Sequence, residues 1–155
     1  MTSQVVARLQ ALGLSIPEVV APVASYVPAV RTGTLVFTAG QLPFVDGQLP
    51  VTGRLGAEVS AAQGADLARI CALNAIAALG TVIDDLDAVV RVVKVVGFVA
   101  STPDFFDQPT VVNGASDLLI AAFGDAGRHA RSAVGMAVLP RNAPVEVELI
   151  VEVAR

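Results

Sequence analysis

The sequence predicts an α+β fold, a mostly antiparallel sheet backed on one face by two long helices, and three stretches carry that prediction. Residues 145–153 alternate without a break: Val145, Val147, Leu149, Val151 and Val153 fall on one face, Glu146, Glu148, Ile150 and Glu152 on the other, the period of a strand with one face in the core and the other largely carboxylate. Ala88 to Ala100 is a nearly continuous β-branched run, of the kind buried on both faces of a sheet. Ser60-Ala61-Ala62-Gln63 is a capping box ahead of an alanine-rich stretch that reaches Leu79, and 104–123 is helical in composition. The order helix, hairpin, helix, strand, helix, strand pair is that of an α+β chain.

A length of 155 residues suits one domain over 1–155, with 1–20 as an N-terminal helical extension, and leaves room for a core that needs no disulfide or metal. Cys71 is the only cysteine; inside a helical Ala/Leu stretch it reads as a buried, inert thiol, and a cytoplasmic location is expected. The longest runs without a charge, such as Ile70 to Ile83, reach 14 residues, short of the roughly 18 that a membrane helix needs. So much Ala and Val exceeds what one small core can hide and favours a homo-oligomer. A net charge of −4 with a single lysine, Lys94, lacks the basic track and aromatic platform of a nucleic-acid binder.

Taken in order, Val5, Val6, Leu9 and Leu12 line one face of a helix over 3–12 that Thr2 or Ser3 can cap and Gly13 can end. Tyr26 to Arg31, a turn at Thr32-Gly33 and Leu35 to Gln41 form a hairpin, with a second turn at Asp46-Gly47. Gly40, late in its strand, marks a bulge, a close backbone approach or a ligand contact. Residues 49–57 are a loop. The half-helix Ile70 to Leu79 is expected to be buried, and Asp84-Asp85-Leu86-Asp87 to be a solvated acidic boundary. Arg91 and Lys94 differ in parity along their strand and are expected on opposite faces. The helix over 104–123 starts at Pro103 or Pro109 and stops at Gly124; Asn113-Gly114 inside it costs stability and implies a partner for Asn113. Strand 131–138, a turn through 140–144 and strand 145–153 close the chain as a pair. In the last strand Glu148 and Glu152 read as a solvated row, with Glu146 set apart by lying nearest the loop.

The chemistry concentrates in Gly127-Arg128-His129-Ala130-Arg131. Two arginines and the only histidine fall within four residues at the mouth of an apolar strand. On that strand Arg131 shares a face with Ala133, Gly135 and Ala137, side chains so small that a backbone, a helix or a ligand must approach. A guanidinium there is a solvated or ion-paired surface group, or a receptor for a carboxylate; the small-residue face favours the receptor. Ser132 and His129 lie too close along one strand entry to form a nucleophile and base pair. No phosphate loop, metal-ligand pair or Cys-His motif is present.

Arg131-Ser132, Val138-Leu139-Pro140 and Val145-Glu146-Val147-Glu148 resemble the C-terminal signature of the Rid family, the YjgF-like enamine/imine deaminases also labelled endoribonuclease L-PSP. Tyr26, the segment Phe37 to Pro43, the strand around Val93-Lys94, and Asn113 are similar to further family landmarks. The resemblance implies a chorismate-mutase-like fold and a homotrimer with small-molecule sites in the clefts between subunits. It implies that Arg131 holds a substrate carboxylate and that Glu146 serves the attacking water, while Tyr26, Gly40, Asn113 and backbone near Ala133 line the pocket. It implies no cofactor and no metal. Ala39 and Ala133 stand where many of the deaminases carry serine and cysteine, and the N-terminal helix with the run 127–130 is similar to a longer branch of the family. Hydrolysis of 2-imino or enamine acids of the 2-aminoacrylate type is the expected activity; a non-catalytic trimeric binder and an endoribonuclease are the alternatives.

Overall fold

The computed structural model describes residues 3–19, 21–22 and 24–155. Its elements follow the chain as α1 (Gln4–Ala11), β1 (Ala29–Thr32), β2 (Leu35–Thr38), α2 (Ala61–Leu79), β3 (Val89–Ala100), α3 (Gln108–Phe123), β4 (Ala130–Met136) and β5 (Val145–Val153), with short 3-10 turns between some of them. The strands form one sheet in the order β1-β2-β5-β3-β4. Three of its pairings are antiparallel and that of β3 with β4 is parallel, so the expected α+β fold with a mostly antiparallel sheet is what the chain adopts.

Residues 131–138 and 145–153 are consecutive but not neighbours in the sheet, contrary to the terminal pair expected from sequence. β5 inserts between β2 and β3, where its core face of Val145, Val147, Leu149, Val151 and Val153 is buried throughout. Each such side chain contributes about 1.5–3 kcal/mol on leaving water. β4 is sent to the edge because α3 returns it parallel to β3, the connection that parallel neighbours require.

β3 is buried on one face over most of its length, and on the other only at its end, where Ala100 packs with Leu139 and Ala143. Val92, Val95 and Val99 are in the core, while Val90 and Val93 are exposed. A register shift between Val92 and Lys94 resets the alternation, because Val92 and Val95 are both inward. Arg91 and Lys94 therefore share the outer face instead of lying on opposite ones. Arg91 is paired in register with Glu152 and Lys94 with Ile150.

α2 starts at the expected capping box: Ser60 accepts from the Gln63 N–H while the Gln63 side chain accepts from the Ser60 N–H. Its second half is buried as expected, and the one polar group there, Asn74, donates to the carbonyls of Leu42 and Phe44 at 3.0 and 3.1 Å. α3 begins at Gln108 with Pro109 in its first turn and is capped by Gly124, so 104–107 precede the helix instead of forming part of it. Gly114 repays its low helix propensity through packing: a Cβ there would overlap the Ala65 carbonyl of α2, so the two helices approach more closely than any other residue would allow.

α1 docks on this layer through Val5 and Leu9, both buried, whereas Leu12 is exposed. Ser3 is its N-cap; Thr2, the other candidate, lies outside the described residues, as do Met1 and Val20 of the extension. The acidic boundary has more than a solvated role. Asp87 accepts from the N–H groups of Val5 and Gln4 and from the Ser3 hydroxyl, closing the open end of α1 from a distant point in the chain. The Val5 and Gln4 amides, then the Ser3 hydroxyl, hold its carboxyl below the usual aspartate range.

Asp87→Ala should lower the unfolding free energy by about 1 kcal/mol, the usual worth of a capping side chain. The folded carboxyl titrates below the unfolded one, so this contribution is present above the ordinary aspartate value and is lost as pH falls through the folded one. Urea titrations of wild type and variant should show a gap at neutral pH that narrows below about pH 4. Equal stability at neutral pH would deny Asp87 the capping role.

Candidate functional site

Paired residues in a sheet point to the same face, so the register locates the site residues. Arg131 is opposite Val95, which is opposite Leu149; this row faces the helices. Glu146 is opposite Phe98, which is opposite Val134; this row faces the open side. The sheet therefore stands between the two residues expected to share the chemistry. Asn113 and Ala133 lie on the Arg131 side, and Tyr26 and Gly40 on the Glu146 side.

On the helix side, Arg131 is bound to α3. Its Nη1 donates to Asn113 Oδ1 at 2.8 Å and to Ser116 Oγ at 3.2 Å, and its Nη2 donates to the Pro109 carbonyl at 3.0 Å. The ion-paired alternative for Arg131 is not realised among the described residues. Asn113 has the partner its position implied. The Nε–H and one Nη2–H are unspent, a pair of donors on the fork that can meet a carboxylate.

His129 extends this network. Its Nδ1 lies 2.6 Å from the Gly127 carbonyl, and its Nε2 lies 2.9 Å from Ser116 Oγ. A carbonyl only accepts, so Nδ1 carries the proton in the neutral ring; Nε2 then accepts from the Ser116 hydroxyl, whose oxygen accepts from Arg131. His129 bonds to Ser116, not to Ser132, which faces the opposite side of the sheet. Ser116 was missed from sequence, although the signal was there: it is one helical turn after Asn113 and so faces the same way, just as His129 and Arg131 share strand parity.

On the open side, Tyr26, Gly40, Phe44, Arg141 and Glu146 line a cavity of about 260 Å³, below the range of roughly 300–1,000 Å³ typical of drug-sized ligands and suited to something the size of an amino acid. Gly40 sits in a bulge. From Phe37, paired with Ile150, to Gln41, bridged to Val147, the chain takes four steps where β5 takes three, and Thr38 Oγ1 accepts the Leu149 N–H that this leaves without a strand carbonyl. The bulge turns Gly40 onto Glu146, and a Cβ there would overlap the Glu146 carboxylate. Of the alternatives at Gly40, both bulge and close approach are realised, and the group approached is a side chain.

Glu146 is the electrostatic centre of this half. Burial, and then the negative charge of Glu148, raise its carboxyl above the ordinary glutamate value. Cys71, fully buried beneath, donates weakly to the Val145 carbonyl at 3.6 Å, and burial, reinforced by Glu146, pushes its thiol well up, so the inert thiol expected from sequence is what packing produces. Among the described residues no cluster of metal-ligating side chains occurs, and no helix is long and apolar enough to cross a membrane.

Residues 6–153 match the family described as "YjgF/chorismate mutase-like, putative endoribonuclease". The chain is 45% identical to protein TCP17 of Trypanosoma cruzi over 152 residues, 97% of this chain and 95% of that protein. The crystal structure of Atu1372 from Agrobacterium tumefaciens, a protein of unknown function, superposes with a TM-score of 0.91 at 44% identity, covering 97% of this chain and 93% of the other. The YjgF gene product of E. coli superposes with a TM-score of 0.64 at 26% identity, covering 89% and 94%. The fold is thus the chorismate-mutase-like one that the resemblance implied.

The raised carboxyl makes stability depend on pH. Across the interval between the ordinary glutamate value and the folded one, the folded chain binds more protons than the unfolded, so Glu146 costs nothing below the first and destabilises as pH rises through the second. Glu146→Gln should melt close to wild type at about pH 4 and above it at neutral pH. Parallel melting curves across that range would show that the carboxyl carries no such penalty.

Proposed function

The chain belongs to the YjgF/chorismate-mutase-like family, and from that premise we propose that it hydrolyses reactive 2-imino and enamine acids of the 2-aminoacrylate type to a 2-oxo acid and ammonia. The observation that carries the reading is Glu146: a half-buried carboxyl, raised above its ordinary range, in a small cavity with Tyr26 and Gly40. A carboxyl raised in this way holds its proton to higher pH than an exposed glutamate and can both give and take one beside a bound ligand. As an acid it delivers a proton to C3 of an enamine, giving the iminium ion. As a base it takes a proton from water attacking C2 and passes that proton to the nitrogen, which leaves as ammonia while the hydroxyl proton returns to the carboxylate and the carbonyl forms. Arg131 supplies the fork that holds the carboxylate. This chemistry uses only groups the chain carries.

In this reading the two halves meet between copies, with Arg131, Asn113 and the backbone near Ala133 from one chain and Tyr26, Gly40 and Glu146 from the next, in a homotrimer. The apolar groups around both halves favour such packing. Val30 and Phe37 are 52% and 40% exposed on the open sheet face, and Phe106 is 81% exposed beside the Gly135 edge of β4, more than an isolated surface readily tolerates. A ribonuclease is disfavoured by a net charge of −4 and a single lysine. A binder without catalysis leaves no use for an acid-base group like Glu146.

Imino acids released by an amino-acid oxidase should decay faster with the protein present, and this acceleration should disappear in Glu146→Gln and fall roughly a hundredfold in Arg131→Lys, which keeps the charge but loses the fork. Co-expressing those two variants should restore about a quarter of wild-type activity, because random assembly gives that share of clefts an intact Arg131 and an intact Glu146 from different copies. No recovery in mixed trimers would place the site within one chain, and a stable monomer in light scattering would remove the cleft. Unaltered imine decay with the folded wild type would end the deaminase reading.

A further inference from the structure

The cavity of Glu146 holds a second charged group, and it is a guanidinium that the imine chemistry does not use. Arg141 lines the same cavity as Tyr26, Gly40 and Glu146, with its Cζ 5.7 Å from the centroid of the Phe44 ring, within the range of a cation–π contact. Its mount is stiff. Arg141 and Asn142 are both left-handed, at φ 56 and φ 58, a conformation arginine seldom adopts. The turn is held by bonds from Asn142 N to the Leu139 carbonyl, from Ala143 N to the Pro140 carbonyl and from Gly53 N to the Asn142 carbonyl, at 3.2, 3.1 and 3.0 Å, between the buried Leu139 and Ala143.

Among the described residues Arg141 has no ion-pair partner. Arg131, by contrast, spends three bonds on α3. An unspent planar cation, oriented by an aromatic face and a rigid turn, opens on a cavity whose other walls include Leu42, Pro22 and Pro28, surfaces suited to methylene groups. An anion on a short aliphatic chain fits that combination.

We infer that Arg141 binds a second carboxylate, on the side chain of the ligand, so that the site takes dicarboxylic 2-imino acids and their 2-oxo products in preference to those with neutral side chains. The inference rests on the deaminase reading above, in which Arg131 of another copy holds the carboxylate beside the imine carbon; two carboxylates then meet two guanidinia, one from each chain.

The test is binding of stable products to the full-length oligomer by titration calorimetry, comparing 2-oxoglutarate with 2-oxopentanoate, which has the same chain length and one carboxylate. Wild type should bind 2-oxoglutarate about tenfold more tightly, and that preference should shrink as salt is raised. Arg141→Gln should lose the preference through weaker binding of 2-oxoglutarate, and Arg141→Lys should keep part of it. Should Arg141→Gln not fold, the wild-type preference with its salt dependence and the Arg141→Lys comparison decide the matter. Equal affinities in wild type, a preference that survives in Arg141→Gln, or no binding of either compound would each overturn the inference. Imine decay with 2-aminoacrylate judges the deaminase reading separately: decay without a dicarboxylate preference fails Arg141 alone, and a preference without decay leaves a binding site and fails the enzyme.

Discussion

The strict alternation of β5 is the constraint on which the other elements depend. A strand with five core residues on one face and no polar interruption loses most of its stabilisation unless helices cover that face and strands pair with both of its edges. It therefore takes the centre of the sheet, between β2 and β3. β4 is left at the edge, and α2 and α3 are fixed on one side. The same alternation sends Glu146, Glu148 and Glu152 to the other side, where each is only half covered. A row of carboxylates beside one another in a partly dry setting is mutually unfavourable, and Glu146, closest to the loop and most confined by Gly40, is the one whose carboxyl is raised.

Arg131 illustrates the opposite solution to a charge at an apolar face. It is stabilised by neutral acceptors, the Asn113 amide, the Ser116 hydroxyl and the Pro109 carbonyl, so the cation keeps its full charge for a ligand while its plane is fixed. The bond from Ser116 to His129 and from His129 to the Gly127 carbonyl ties the orientation of that plane to the entry of β4. A carboxylate partner from the protein would have fixed the guanidinium equally well and neutralised it. The arrangement used gives pre-organisation without cancelling the field.

Glycines carry the remaining fit. Gly114 lets α3 lie against the Ala65 backbone of α2, and Gly40 lets the bulged strand lie against Glu146. In neither case is the residue needed for an unusual backbone angle, since neither Gly40 nor Gly114 has a positive φ. Both are cases of missing volume.

Local chemistry was sufficient to read the capping box at Ser60, the one-sided β5, the hairpin, the buried half of α2 and the inert Cys71, because each depends on residues a turn or a strand pair apart. Tyr26, Gly40, Asn113, Arg131 and Glu146 were picked out as a group by motif resemblance. Tertiary structure alone decided that β4 pairs with β3 and not with β5, that a bulge brings Arg91 and Lys94 onto one face, that Asp87 caps α1, and that Arg141 belongs to the Glu146 half of the site. The physical reason is common to all of these. Period and propensity specify which face of an element is apolar, whereas strand order, bulges and long-range hydrogen bonds are chosen by how those faces can be buried together, and it is that choice which sets Arg131 and Glu146 on opposite sides of one sheet.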